Sequence, residues 1–301
     1  MRAPRVGHYD ISWSLYLRLA AVPAIWGGTF TAGKILAETL PPALASLLRF
    51  LIASLALLVA SRWLEGPLPR LDRRQWWVVL GLGCSGILVY NLLFISALAL
   101  MPASRASLIV ALNPVVTIAL TGWLFGERLT ALRWSGVGLA LCGVWIVVSG
   151  GHLLDPLPGA IGPGEAMMFG AVLAWAAYTL LGRTALAGLS PLAASTYASL
   201  VGTGMLSIAA IPDLLEFQPG MLTPEVLLAG AYLGILGTGV AFVWYYQAVQ
   251  RLGPARTVVF NNLVPVFGAT FAVLWLGEPV TWPLLVGGLL AVGGVGLVSR
   301  A

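Results

Sequence analysis

The chain has 301 residues, of which 59% are hydrophobic and only 9% charged, and its mean hydropathy is +0.94. A soluble domain could not keep so much apolar surface from water, so the composition excludes an ordinary globular protein and points to a polytopic membrane protein. The net charge of +5 comes from basic residues set singly between apolar blocks, with no basic patch, which argues against nucleic acid as a partner.

Residues 1–15 are polar and basic, and the first apolar run begins near Leu17 and continues to about Ala37. It outruns the apolar core of a signal peptide, contains Lys34 and leads straight into another run, so it reads as a retained first helix. Further runs of membrane-crossing length follow at about 43–62, 76–99, 104–124, 131–149, 165–186, 192–211, 224–249, 255–276 and 282–299. The longest connections, Gly150–Gly164 and Trp63–Gln75, leave no room for a soluble domain. The expected fold class is therefore an all-α polytopic membrane protein with ten transmembrane helices.

The runs repeat. Asn113–Thr130 recurs 151 positions later as Val264–Thr281, and the shared Pro, Gly-Glu and Thr positions are Pro114/Pro265, Gly126-Glu127/Gly277-Glu278 and Thr130/Thr281. The same offset pairs Arg105 with Arg256, and an offset of 149 pairs Trp26 with Trp175 and Gly33 with Gly182. Two units are expected, 17–149 and 164–299, each with five spans. An odd number makes the second unit enter the bilayer from the opposite side, which is the inverted repeat found in many transporters. With the amino terminus inside, 13 basic residues fall on the cytoplasmic side against Lys34, Arg49 and Arg105 on the other. Both termini are thus expected in the cytoplasm of a bacterial inner (plasma) membrane.

Catalytic motifs fail on context. Gly81–Gly86 spells GxGxxG, but it lies inside a span with no acidic residue about 20 positions on, so close helix packing is the better account. No HExxH, GxSxG or paired intramembrane carboxylate occurs, the histidines are His8 and His152, and Cys84 and Cys142 both lie in apolar segments. No enzyme activity, cofactor or metal site is expected. Glycine rows such as Gly136, Ala140, Gly143 and Gly287, Ala291, Gly294 should let helix backbones approach closely. Glu127 and Glu278, at helix exits, should cap or pair locally. With no Asp or Glu in mid-span, facilitated or exchange transport is expected in place of proton antiport.

Aromatic and amide groups inside the spans remain as substrate-binding candidates. Trp26, Thr29, Phe30 and Gly33 share one helical face and correspond to Trp175, Tyr178, Thr179 and Gly182. The third span carries Tyr90, Asn91 and Phe94, and its counterpart carries Tyr245 among other rings. Asn113 precedes Pro114, and Asn261 and Asn262 stand just before Pro265. Amides in hydrocarbon are costly and face the protein interior, and a proline beside them frees backbone carbonyls for a ligand.

The W-G-x-x-F stretch Trp26–Phe30, P-A-S-R at Pro102–Arg105 with G-P-A-R at Gly253–Arg256, and the two P-x11-G-E helices resemble the drug/metabolite transporter superfamily in its ten-helix EamA-type branch. The Trp and Tyr content is most similar to YddG-type exporters of aromatic amino acids. The resemblance covers roughly residues 17–299. It implies a central cavity bounded by helices 1, 3, 4, 6, 8 and 9, alternating access by the 3–4 and 8–9 hairpins, and a small-molecule substrate such as an aromatic or other apolar amino acid. It carries over to Trp26, Tyr90, Trp175, Tyr245 and the Asn-Pro positions. A drug exporter or a phosphosugar or nucleotide-sugar antiporter of the same superfamily is the alternative, and a non-transporting assembly protein is a further class that flux would separate. The topology is testable: a cysteine placed at His152, with Cys84 and Cys142 replaced, should react with a membrane-impermeant maleimide in intact cells. Reaction only after permeabilisation reverses the orientation.

Overall fold

The computed structural model describes residues 13–125, 130–152, 161–186, 188–252 and 260–300. They form an all-helical bundle in which the helices fall on the ten stretches marked out by the sequence. In chain order these are α1 (Trp13–Thr39), α2 (Pro42–Leu64), α3 (Arg73–Leu100), α4 (Ala103–Val110 and Asn113–Phe125), α5 (Ala131–Val148), α6 (Pro163–Ala185), α7 (Pro191–Ala209), α8 (Pro224–Leu252 in three segments), α9 (Val264–Leu276) and α10 (Trp282–Arg300). Eight continuous helical stretches are long and apolar enough to cross a membrane, and Val264–Leu276 and Trp282–Val298 are shorter apolar helices. Each fivefold set is one repeat. The Arg128 and Arg256 positions used in the charge count, the Glu127 cap and most of the Gly150–Gly164 connection lie outside the described residues.

Local chemistry explains the helix starts. Proline opens α2, α6, α7 and α8, where a missing N–H costs nothing. Asp72 and Gln75 close a capping box at α3, and Thr130, Ser190 and Thr223 accept from the third residue of α5, α7 and α8. Helix ends meet at two faces. The distal end carries the turns between α1 and α2, α3 and α4, and α9 and α10, and the proximal end is the one from which α1 starts. Trp63, Trp76, Trp77 and Trp134 at the proximal end and Trp275 and Trp282 at the distal end are exposed, as expected of rings at the two interfaces of a bilayer. Leu51, Leu55, Leu285 and Leu289 face outward between them.

The repeats are tied by polar and by backbone contacts. Ser54 of α2 bonds Ser199 at 2.8 Å and Thr203 at 2.9 Å, both on α7, so three hydroxyls satisfy each other inside the bundle. Helices α5 and α10 cross through the two glycine rows. A methyl group on Gly143 or Gly294 would fall on the backbone of the facing Ala291 or Ala140, so only hydrogen fits at this crossing. The GxGxxG stretch has the same explanation: Gly83 abuts the Gly202 backbone and Gly86 the ring of Tyr178.

Gly143→Val should therefore overpack the α5–α10 crossing and cost on the order of 3 kcal/mol. Gly138→Ala, on the open side of the same helix, should be neutral or slightly stabilising. Thermal melts of the detergent-purified variants check both.

Candidate functional site

Interruptions in four helices build the centre of the bundle. In α3, residues Gly83–Val89 form a π-helical turn, and in α8 residues Tyr232–Val240 do the same, at equivalent places in the repeat. A π turn misaligns carbonyls from their usual donors and often marks a functional site. Asn91 Nδ2 takes up two of them, Gly86 O at 3.2 Å and Ile87 O at 2.9 Å. In α8 the indole Nε1 of Trp26 donates to Gly237 O at 2.9 Å and Thr238 Oγ1 to Leu233 O at 3.1 Å. Tyr232 then donates its hydroxyl to Ile25 O at 2.9 Å, tying α8 back to α1. The other two interruptions are at Ala111-Leu112 in α4 and Asn262-Leu263 before α9. Pro114 and Pro265 have no N–H for the carbonyls of Val110 and Asn261. The buried Oδ1 atoms of Asn113 and Asn261 have no hydrogen-bond partner among the described residues.

A row of rings runs between the two π turns. Trp26 lies 5.4 Å from Tyr245 and 5.9 Å from Phe242 of α8. One turn along α1, Phe30 meets Phe94 edge-on at 5.4 Å, Phe94 stacks on Tyr90 at 5.6 Å, and Tyr90 lies 5.1 Å from Trp175 of α6. Trp175 continues to Tyr178 at 5.2 Å. The row thus runs from α8 in the second repeat through α1 and α3 of the first to α6 of the second.

The sequence-derived candidates separate into groups. Phe30 and Phe94 are core residues, 3% and 1% exposed. Asn91 is 1% exposed and its amide is engaged on both sides, since its oxygen accepts from Arg49 Nη1 at 2.9 Å. Tyr178 fills the space over Gly86, and the Trp26 N–H is already committed to the π turn. Trp175, Tyr90 and Tyr245 are partly exposed rings of the row, and no side chain among the described residues takes the Trp175 indole N–H. Asn262 lies in the turn before α9. Trp26 and Trp175 do not touch: Phe30, Phe94 and Tyr90 stand between them.

Sequence reasoning missed how the charges pair. Lys34 Nζ donates to Leu98 O at 2.8 Å and Met101 O at 3.4 Å, capping α3, and pairs with Glu38 at 3.4 Å. Arg105 bonds Glu165, which is 5% exposed, at 2.8 Å, and Glu165 also accepts from Gly162 N. Glu278 caps α4 from the other repeat, accepting from Ala103 N at 2.6 Å, Ser104 N at 3.0 Å and the Ser104 hydroxyl. It forms one wall of a distal cleft of about 370 Å³ shared with Pro102, Arg105 and Trp282. Lys34–Glu38 is a local pair four residues apart, but the partners of Arg105 and of Glu278 lie 60 and more than 170 residues away, so no local pattern announces those two.

The EamA-like transporter family model matches the chain twice, at residues 12–149 and 162–300. The chain is 30% identical over 96% of its length to a protein of Streptantibioticus cattleyicolor named a probable terminal-alkyne amino-acid exporter, covering 93% of it. It is 31% identical over 94% of its length to an uncharacterized transporter of Archaeoglobus fulgidus, covering 96% of that protein. A crystal structure shares the fold with a TM-score of 0.68 at 21% identity, across 94% of this chain and 96% of the other.

Replacing Glu278 by Ala should leave the first N–H groups of α4 uncapped and cost about 1–2 kcal/mol, with Gln recovering part of it. Melting of the purified variants, Ala below Gln below wild type, is the expected order.

Proposed function

We propose that this chain, which belongs to the EamA-like transporter family, exports aromatic or other largely apolar amino acids across the cell membrane. It is an integral membrane protein built to move a small molecule. The finer reading takes 17–149 and 164–299 as the two units that rock against each other, with both termini in the cytoplasm. The observation that carries it is the ring row from Tyr245 through Trp26, Phe94 and Tyr90 to Trp175, because it crosses between the repeats where an inverted pair presents its substrate.

Roles follow from what each group has left to offer. Trp175, Tyr90 and Tyr245 are the rings on which an apolar side chain would lie, each ring pair contributing about 0.5–1.5 kcal/mol beyond the area buried. Phe30 and Phe94 support them from behind. Asn113 and Asn261 hold buried amide oxygens in want of a donor, and a substrate ammonium is such a donor. Tyr178 continues the row beyond Trp175, Asn262 stands beside Asn261 in the turn before α9, and Asn91 positions a neighbour. The similarity to a relative named a probable terminal-alkyne amino-acid exporter supports an amino acid as the substrate, without bearing on the aromatic side chain.

The test is uptake into proteoliposomes that contain equal amounts of folded protein. Wild type should take up labelled phenylalanine and tryptophan in preference to threonine. Trp175→Ala should reduce aromatic uptake about three- to tenfold while its melting temperature stays near that of wild type. A preference for threonine removes the aromatic reading, and unchanged uptake in the variant removes Trp175 from the site.

A further inference from the structure

Three basic side chains lie in the distal half of the bundle, and two of them are neutralised. Lys34 has Glu38 and two helix-end carbonyls, and Arg105 has Glu165. Arg49 has no carboxylate among the described residues. Its one hydrogen bond there is Nη1 to Asn91 Oδ1, its guanidinium lies 5.1 Å from the Phe50 ring, and its Nε is buried without an acceptor. Arg133 Nε also lacks an acceptor, but that residue stands two positions into α5, where a long side chain reaches the headgroups. Arg49 is seven residues into α2, about 10 Å along the helix.

An unpaired guanidinium at that depth is expensive, and such groups in membrane spans ordinarily face a partner or a substrate path. The scaffold around it is rigid. Asn91 is anchored through Nδ2 to two carbonyls of the α3 π turn, and its oxygen then fixes one arm of the guanidinium. That leaves the edge formed by Nε and Nη2 unused. Two parallel N–H groups on one edge match the two oxygens of a carboxylate. Tyr90, the residue before Asn91 on α3, belongs to the ring row beside Trp175. A ligand carboxylate on Arg49 would therefore set its side chain toward Tyr90 and Trp175.

We infer that Arg49 is the anion-recognising residue of this transporter, holding the carboxylate of the substrate through its Nε–Nη2 edge while Asn91 and the α3 π turn keep it aimed. The inference deepens the amino-acid reading above and rests on it for the setting. The ligand chemistry is a single carboxylate. A phosphate would call for a second cation, and the other two distal cations are already paired.

The experiment compares four ligands on purified, reconstituted protein: phenylalanine, phenylalaninamide, alanine and inorganic phosphate. Each is read both by uptake or competition in proteoliposomes and by the shift it causes in the melting temperature of the detergent-solubilised protein. Wild type should favour phenylalanine over phenylalaninamide by at least about tenfold in apparent affinity, the order of one charge-assisted bidentate contact. Arg49→Gln should bring phenylalanine down to the level of the amide and leave the amide unchanged. Arg49→Lys, which keeps the charge without the fork, should fall between them, and it carries the comparison if Arg49→Gln does not fold. Equal handling of acid and amide by wild type overturns the inference, as does a preference that survives in Arg49→Gln or in Arg49→Lys at full strength, or stronger binding of phosphate than of either carboxylate. If alanine is taken up and phenylalanine is not, with the same dependence on Arg49, the aromatic reading fails and the carboxylate inference stands.

Discussion

Hydrocarbon supplies no hydrogen bonds, and nearly everything specific in this bundle follows from that constraint. A continuous helix satisfies it alone, so most of the chain needs only apolar length. Each interruption creates carbonyls and N–H groups that some other residue must reach. Trp26 reaches the α8 π turn, Asn91 the α3 π turn, Lys34 the end of α3 and Glu278 the start of α4. Trp26 and Glu278 do so across the two repeats, so what stabilises each break also ties the halves together. The coupling is local in space and long in sequence.

The two repeats have solved the same problem with different side chains. The π turn of α3 is satisfied from within its own helix by Asn91, and that of α8 by an indole from α1 and by Thr238. One consequence is that Trp26 and Trp175, which are equivalent in the repeat, are not equivalent in chemistry. The first has its N–H engaged with backbone and packs as structure. The second is partly exposed in the row between Tyr90 and Tyr178. A second consequence is that only the first repeat turns its π turn into a mount for a cation, because Asn91 has an oxygen left over and Arg49 stands opposite it.

Much of the architecture is legible in the sequence. Apolar runs of membrane length, the offset pairing Pro114 with Pro265, and the small residues at Gly136, Gly143, Gly287 and Gly294 each carry a signal inside one stretch of chain. The structure places those runs as helices and puts backbone against backbone at the glycines. Glu278, expected to cap or pair locally, caps a helix of the other repeat. The π turns were not legible, since the glycines of Gly83–Val89 and Tyr232–Val240 read equally well as close helix packing inside an α-helical span. Nor was the engaged state of Asn91, because an amide in a membrane span announces that it needs partners without saying which ones it has.

Charge shows the same division between what composition announces and what contact decides. The basic-residue count sets Lys34, Arg49 and Arg105 apart from the other thirteen as the ones nearest the membrane interior, but in the sequence the three look alike. Contact separates them. Lys34 finds its carboxylate one helical turn away on the same face, and Arg105 finds Glu165 across a helix pair. Arg49 finds an amide and a ring, which orient a guanidinium without discharging it. A bilayer tolerates a cation held like that only where something pays its desolvation at least part of the time. In a transporter, the group that arrives, neutralises the cation and leaves again is the cargo itself, so the residue that would burden the empty protein is also the one that favours the loaded one.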